Sequence, residues 1–252
     1  MVTFLVLIFF QFDLIARTIL IDPGHGGMDK GAKTTRKVFN NQGKRIKETF
    51  FEKDLVLSLS KRIQKKLQKK RYRVFLTRSV DRTVSLEKRA EIAQKVKADL
   101  FISIHANASY QKISGGFETY YLDNQSNVAI KKVEEVENKG LTGEDSIVNQ
   151  ILIDLVVNKT VESSRLLAKS IHKKVKNSLG GTLKIKDRGI KPGLFFVLAL
   201  SKRPGVLLEM GFMSNPKELR KISGSVFQEE YASAVVMGIE EYFKNKGDVQ
   251  NI

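Results

Sequence analysis

Apolar and polar positions along the 252-residue chain follow two alternating rhythms. Short apolar runs rich in β-branched residues predict buried strands at Thr18–Asp22, Arg73–Thr77, Leu100–His105, Phe117–Leu122, Leu194–Leu200 and Val206–Met210. Between most of them the period lengthens to that of a helix. In Lys53–Lys70, Leu55, Leu59, Ile63 and Leu67 recur every fourth residue, with Lys and Arg opposite. Ser85 stands as the N-cap of a second helix that turns Leu86, Ala90, Ala93 and Val96 inward. Ile147–Leu179 and Val226–Phe243 are amphipathic at the same period. Strands alternating with helices predict an α/β fold: a single domain with a mostly parallel twisted sheet of about six strands and helices on both faces. Two polar segments break the rhythm, Ala32–Thr49 and Asp123–Asp145.

The run Met1–Phe12 is apolar but short of the roughly 20 residues that span a bilayer. It is similar to the hydrophobic region of an export signal, so residues 1–16 form a candidate signal peptide; an extra apolar strand is the alternative. Residues 17–246 then form the main domain and 247–252 a short tail, with no internal repeat and no transmembrane anchor expected. Lys and Arg number 44 against 27 Asp and Glu, a formal charge of +17, which favours an anionic partner. No nucleic-acid recognition motif accompanies that charge, so no nucleic-acid partner is expected. There is no cysteine, which excludes thiolate chemistry and leaves N and O ligands for any metal.

The candidate chemistry centres on three histidines. His25 stands in "DPGHGG" just past the first strand, and His105 closes the strand of "LFISIHAN". Both point to the carboxyl edge of the sheet, where open α/β sheets bind ligands. His172 sits among lysines on a helix and reads as solvated surface. Glu52 opens the Lys53–Lys70 helix, and Glu48 lies four residues earlier. An acidic residue in a first turn is also a plain dipole effect, so the pattern alone does not choose between them. Glu209 lies inside the apolar segment "VLLEMGF", where a bare carboxylate is costly. A nearby metal would compensate it, and burial would tune it for proton transfer; the alternative is a side chain reaching solvent past the strand end.

The ordered set "IDPGHGGMDKGA", "EKDLVLSLSKRIQKKL", "LTRSVDRTVSLEKRAEIAQKVKADLFISIHANA", "GGFETYYL" and "VLLEMGFMSNPKE" resembles the zinc-dependent N-acetylmuramoyl-L-alanine amidases of bacterial division and sporulation. The resemblance runs from Arg17 to Phe243. It implies that His25, Glu52 and His105 bind one zinc ion, and it favours Glu52 over Glu48 because "EKDL" fits the family pattern. Three protein ligands would leave that zinc an open position for water. Glu209 matches the catalytic glutamate. Asp22, Asn107 and Arg89, beside these motifs, are candidates for substrate or supporting contacts. The implied reaction is hydrolysis of the amide between N-acetylmuramic acid and L-alanine in peptidoglycan, in the periplasm or cell envelope, by a monomer that an activator protein of the division machinery would serve. The alternatives are a related zinc exopeptidase and a non-catalytic peptidoglycan-binding protein.

One departure from the family pattern and one further segment bear on the site. The spacing from His25 to Glu52 is longer than the family pattern leads one to expect, with the excess around "KVFNNQGKRIK". In some division amidases a helix after the fourth strand covers the active site. Here "NVAIKKVEEVENKGLTGED" takes that place and carries Glu134, Glu135, Glu137 and Glu144. A carboxylate from it could fill the open zinc position; the alternative is a solvated surface helix or loop.

Overall fold

The computed structural model describes residues 16–39, 42–124, 131–138, 146–181 and 183–249. In chain order the elements are β1 (Thr18–Pro23), β2 (Lys33–Phe39), β3 (Arg45–Phe51), α1 (Glu52–Lys69), β4 (Arg73–Leu76), α2 (Leu86–Lys95), β5 (Leu100–Asn107) and β6 (Phe117–Leu122). They continue as α3 (Lys131–Glu137), α4 (Ser146–Gly180), β7 (Asp187–Gly193), α5 (Phe196–Ser201), β8 (Gly205–Phe212), α6 (Pro216–Ile222) and α7 (Ser225–Val249). Six strands form one sheet in the order β4-β1-β5-β8-β6-β7. Neighbours run parallel except β6 and β8, which pair antiparallel.

Successive residues of a strand face opposite sides of the sheet, and both sides here are covered. Ile19, Ile21, Ile102, Ile104, Val206 and Leu208 join the core built with α1, α4 and α7. Leu20, Phe101, Tyr120 and Leu207 join the second core, with α2, α5 and the first turns of α4. This double burial makes β1, β5 and β8 almost continuously apolar, and so visible in the sequence. Ser85 accepts from the Lys88 N–H and caps α2 as its position predicts.

Three expectations are corrected. The run Leu194–Leu200 is not a strand. Its centre is the helix α5, with Val197, Leu198 and Ala199 buried. A helix buried all round has no period-3.6 polar face, so a short apolar run does not distinguish it from a strand. The sixth strand is β7, whose Gly189 and Pro192 disguise it; it lies at a sheet edge, where proline is tolerated. The polar stretch Ala32–Thr49, to which the sequence pattern assigns no strand, is most of a hairpin, with β2 and β3 paired antiparallel from Lys33–Phe51 to Phe39–Arg45. Its polar residues occupy both faces, so no apolar alternation announces it. Helix α7 runs to Val249 and takes in the first residues of the expected tail. The candidate signal peptide, save Ala16, and the tail beyond Val249 lie outside the described residues.

Candidate active site

Strand β1 ends at Pro23, and His25 follows in the left-handed backbone region, φ 57°. That conformation strains a residue with a side chain and persists only where its surroundings impose it. Two buried arginines impose it. Arg89 donates to the carbonyls of Pro23 (2.9 Å) and His25 (2.9 Å), and Arg78 to those of Pro23 (3.1 Å) and Gly24 (2.7 Å). Asp22 anchors the clamp by accepting from Arg89, Thr77 and Ser103. Burial raises its pKa, but the charge and hydrogen bond of Arg89 together with the Thr77 hydrogen bond outweigh that and hold it below the usual carboxylate range. Gly24 is required by crowding: a Cβ there would sit 2.3 Å from His105 Cε1. Gly31, at φ +61°, likewise leaves room for His25 and Glu52.

The β2–β3 hairpin delivers Glu52. Lys33 pairs with Phe51 across its base, and Glu52 N–H donates to the Ala32 carbonyl at 2.9 Å. The long spacing after His25 is therefore taken up in an arm, and its two ends stay together at the site. Glu52 accepts from the Ala32 N–H (2.9 Å) and the Ala106 N–H (2.9 Å), which fixes its carboxylate. Glu48 is exposed on β3, opposite Arg36.

His25, Glu52, His105 and Glu137 each bring one ligand atom to within 4.8 Å of the others. Glu52 Oε1 lies 3.0 Å from His25 Nε2 and 3.2 Å from His105 Nδ1. Glu137 Oε2 lies 2.8 Å from His105 Nδ1 and 3.8 Å from His25 Nε2. Yet both nitrogens are buried without a hydrogen bond. Donor atoms that converge without bonding one another fit a cation between them, and an N/O set of this kind suits a divalent metal. Asp29 Oδ2, 2.8 Å from His25 Nδ1, orients that ring and leaves Nε2 to the centre. Without a cation, burial disfavours the imidazolium, but Glu52 and Asp29 raise His25 to about 10. Burial also opposes charge on His105; Glu137 and Glu52 outweigh it and hold its pKa well above the usual range.

Glu209 stands beside His105 in the β5–β8 register and beside Glu118 in the β6–β8 register. It is buried, and its Oε2 has no hydrogen-bond partner. Burial pushes its pKa well above the usual value, and Glu137 adds to the rise. Glu118 differs. Burial raises it, but Arg188 Nε (2.5 Å) and Lys191 Nζ (2.8 Å) at Oε1 and Tyr120 O–H (2.5 Å) at Oε2 bring it below the usual range. Asn107 Nδ2 also donates to Oε2, at 3.3 Å. These groups line a cleft of about 760 Å³.

Helix α3 walls this cleft and inserts Glu137. Glu134 accepts from the Leu194 N–H at 2.6 Å, and Asn138 bonds the Leu194 carbonyl (2.7 Å) and the Phe196 N–H (2.8 Å). Lys132 Nζ lies 4.1 Å from the centroid of the Tyr110 ring. Glu135 is exposed, and Glu144 lies outside the described residues. Thus Glu137 joins the histidines, Glu134 fastens the helix, and Asp22 and Arg89 brace the His25 loop.

One sequence expectation fails outright. His172 is 6% exposed, not solvated, with Nδ1 2.9 Å from Thr119 Oγ1 and Nε2 2.8 Å from Asp187 Oδ1. Its lysine neighbours in sequence point elsewhere on α4, while His172 shares the phase of the buried Ala168 and Val175. Sequence reasoning missed Asp29, Arg78, Glu118, Arg188 and Lys191. For Glu118 a signal existed: a lone carboxylate within the apolar "GGFETYYL", the same cue that marked Glu209.

Comparison with known proteins adds the chemistry this arrangement serves elsewhere. The family model for N-acetylmuramoyl-L-alanine amidase matches residues 19–241. The N-acetylmuramoyl-L-alanine amidase AmiA of Escherichia coli (strain K12) is 34% identical over 236 residues, 90% of this chain and 76% of that protein. The crystal structure of an N-acetylmuramoyl-L-alanine amidase from Clostridium difficile 630 has a TM-score of 0.66 at 29% identity, covering 92% of this chain and 98% of that one. The CwlD amidase from Clostridioides difficile, solved in complex with the GerS lipoprotein, has a TM-score of 0.65 at 25% identity, covering 90% and 98%. With nearly its whole described sheet inside the match, this chain belongs to the N-acetylmuramoyl-L-alanine amidase family.

Proposed function

We propose that this chain hydrolyses the amide between the lactyl group of N-acetylmuramic acid and the L-alanine of a peptidoglycan stem peptide, with one zinc ion held by His25, Glu52 and His105. The observation that carries this reading is the pair of buried, unbonded histidine nitrogens facing Glu52, with Glu209 paired in register to one of the two histidines, His105. Bound there, zinc supplies Lewis acidity, lowering the pKa of a water and offsetting charge on the attacked carbonyl.

The protein's own groups do the rest. Glu209 takes the proton of the attacking water and delivers it to the leaving amine. Its burial raises its basicity, while Glu118 next to it is neutralised by Arg188 and Lys191. Two adjacent carboxylates with environments pushed apart is the usual way to assign such roles. Asp29 orients His25, and Arg78 and Arg89 hold the loop that carries it.

Glu137 is the resting cap on this site. It occupies the corner that water and substrate need, and α3 holds it there through Glu134 and Asn138. An activator protein would release α3; the neighbouring CwlD structure is itself a complex with a lipoprotein. The substrate places the enzyme in the periplasm or cell envelope.

The test is to incubate the purified full chain with peptidoglycan, with and without chelator, and to weigh the released fragments. Peptides with a free alanine amino terminus, lost on chelation and restored by zinc, are expected. The same peptides appearing undiminished under chelation, or no such peptides with zinc present even from the Glu137→Gln variant, whose cap is weakened, would overturn it.

A further inference from the structure

Arg188 and Lys191 lie outside the four groups at the centre, yet both line its cleft. They share one carboxylate oxygen, Glu118 Oε1. Two cations on one buried anion leave a positive charge over. Their free donors show where it is offered. Arg188 uses only Nε on Glu118, and its two Nη groups have no protein partner among the described residues. Its guanidinium lies 5.1 Å from the centroid of the Phe212 ring, and Glu118 holds its edge. The side chain is 32% exposed and lines the cleft. Lys191 spends one of three donors and is 21% exposed. An oriented planar fork beside a point charge is the arrangement that recognises a carboxylate.

Its place in the sheet gives the distance from the reacting bond. Glu209 stands on β8, Glu118 on the neighbouring β6, and Arg188 and Lys191 on β7 beyond it. Two strand spacings come to roughly 10 Å. Extended peptide covers that in about three residues, and long side chains reaching back shorten it. The partner group therefore belongs to the peptide just beyond the scissile amide.

We propose that Arg188 and Lys191, set by Glu118, form a subsite for a carboxylate on the stem peptide within the first few residues after the cleaved bond, and so select acidic over amidated stems. The inference rests on the amidase reading for which side of the bond the peptide takes. The subsite favours the carboxylate by roughly 10–100-fold, the worth of charged hydrogen bonds.

The test titrates the zinc-loaded full chain with two peptides that begin with L-alanine and differ only at the second residue, free carboxylate against primary amide. Hydrolysis of the matching muramoyl peptides is followed in parallel. The covering helix lowers binding of both peptides alike, so it cancels from their ratio. The chain is expected to bind the acid roughly 10–100-fold more tightly than the amide. Arg188→Gln should bring the ratio close to one with the amide's affinity nearly unchanged, and Arg188→Lys should restore it only in part. Equal affinity of the parent for both peptides, or equal losses for both in Arg188→Gln, would overturn the subsite. A preserved preference in binding with neither muramoyl peptide hydrolysed, by the parent or by the Glu137→Gln variant, would sink the amidase reading and leave the subsite standing.

Discussion

Glu137 Oε2 stands 2.8 Å from His105 Nδ1, and the two residues come from opposite walls of the cleft, α3 and β5. The contact costs the exposed helix α3 some freedom, and Glu134 and Asn138 are spent on fastening it. Glu137→Gln keeps the size of the side chain and weakens its hold on a cation. We expect basal hydrolysis to rise severalfold with zinc content unchanged, since a modest shift in a closed–open equilibrium is enough. A variant that keeps its zinc and is no faster than the parent would show that α3 is not a cap.

Glu209→Gln should keep zinc and lose turnover. The substitution preserves shape and removes the carboxylate that would carry the proton, a step typically worth roughly 10²–10⁴-fold. Because Glu209 is buried with an unpartnered oxygen, the neutral amide should also leave thermal stability equal or higher. Steady-state rates together with a melting curve check both parts. Near-parental activity would make Glu209 structural.

Zinc binding should release protons. In the metal-free chain His25 has a pKa of about 10 and His105 one well above its usual value, so both nitrogens are largely protonated at neutral pH. A metal must displace those protons, so apparent affinity rises with pH up to about 10 and falls toward acid. Calorimetry in buffers of different ionisation enthalpy should count about one to two protons released per zinc. No release at pH 7 would contradict the picture of histidines held protonated by the carboxylates around them.

Gly24→Ala should cost zinc affinity. The added methyl would meet the His105 ring at 2.3 Å, and the backbone it hangs on is fixed by Arg78. Displacing a ligand's surroundings typically costs roughly 10–100-fold in metal affinity. A chelator competition that finds parental affinity would mean the ring can move aside.

Much of this site is legible in the sequence, for a physical reason. His25 and His105 follow apolar runs because buried parallel strands must end where the ligand site begins, and Glu209 shows because a carboxylate inside such a run is costly. What the sequence hides is anything whose meaning depends on tertiary phase. His172 looks solvated until the helix turns it onto Thr119 and Asp187. β7 carries the Gly and Pro that an edge strand tolerates, so Arg188 and Lys191 stay invisible as cleft residues. Of the carboxylates on α3, only the contact with His105 on β5 selects Glu137.

The central claim, one zinc among His25, Glu52 and His105, is tested most directly by diffraction from crystals of the zinc-loaded chain on either side of the zinc absorption edge. The account predicts a single anomalous peak roughly 2.0–2.2 Å from His25 Nε2, Glu52 Oε1 and His105 Nδ1, with Glu137 as the fourth neighbour. A peak that leaves out Glu52 or either histidine, or no peak between them at full zinc loading, would contradict it.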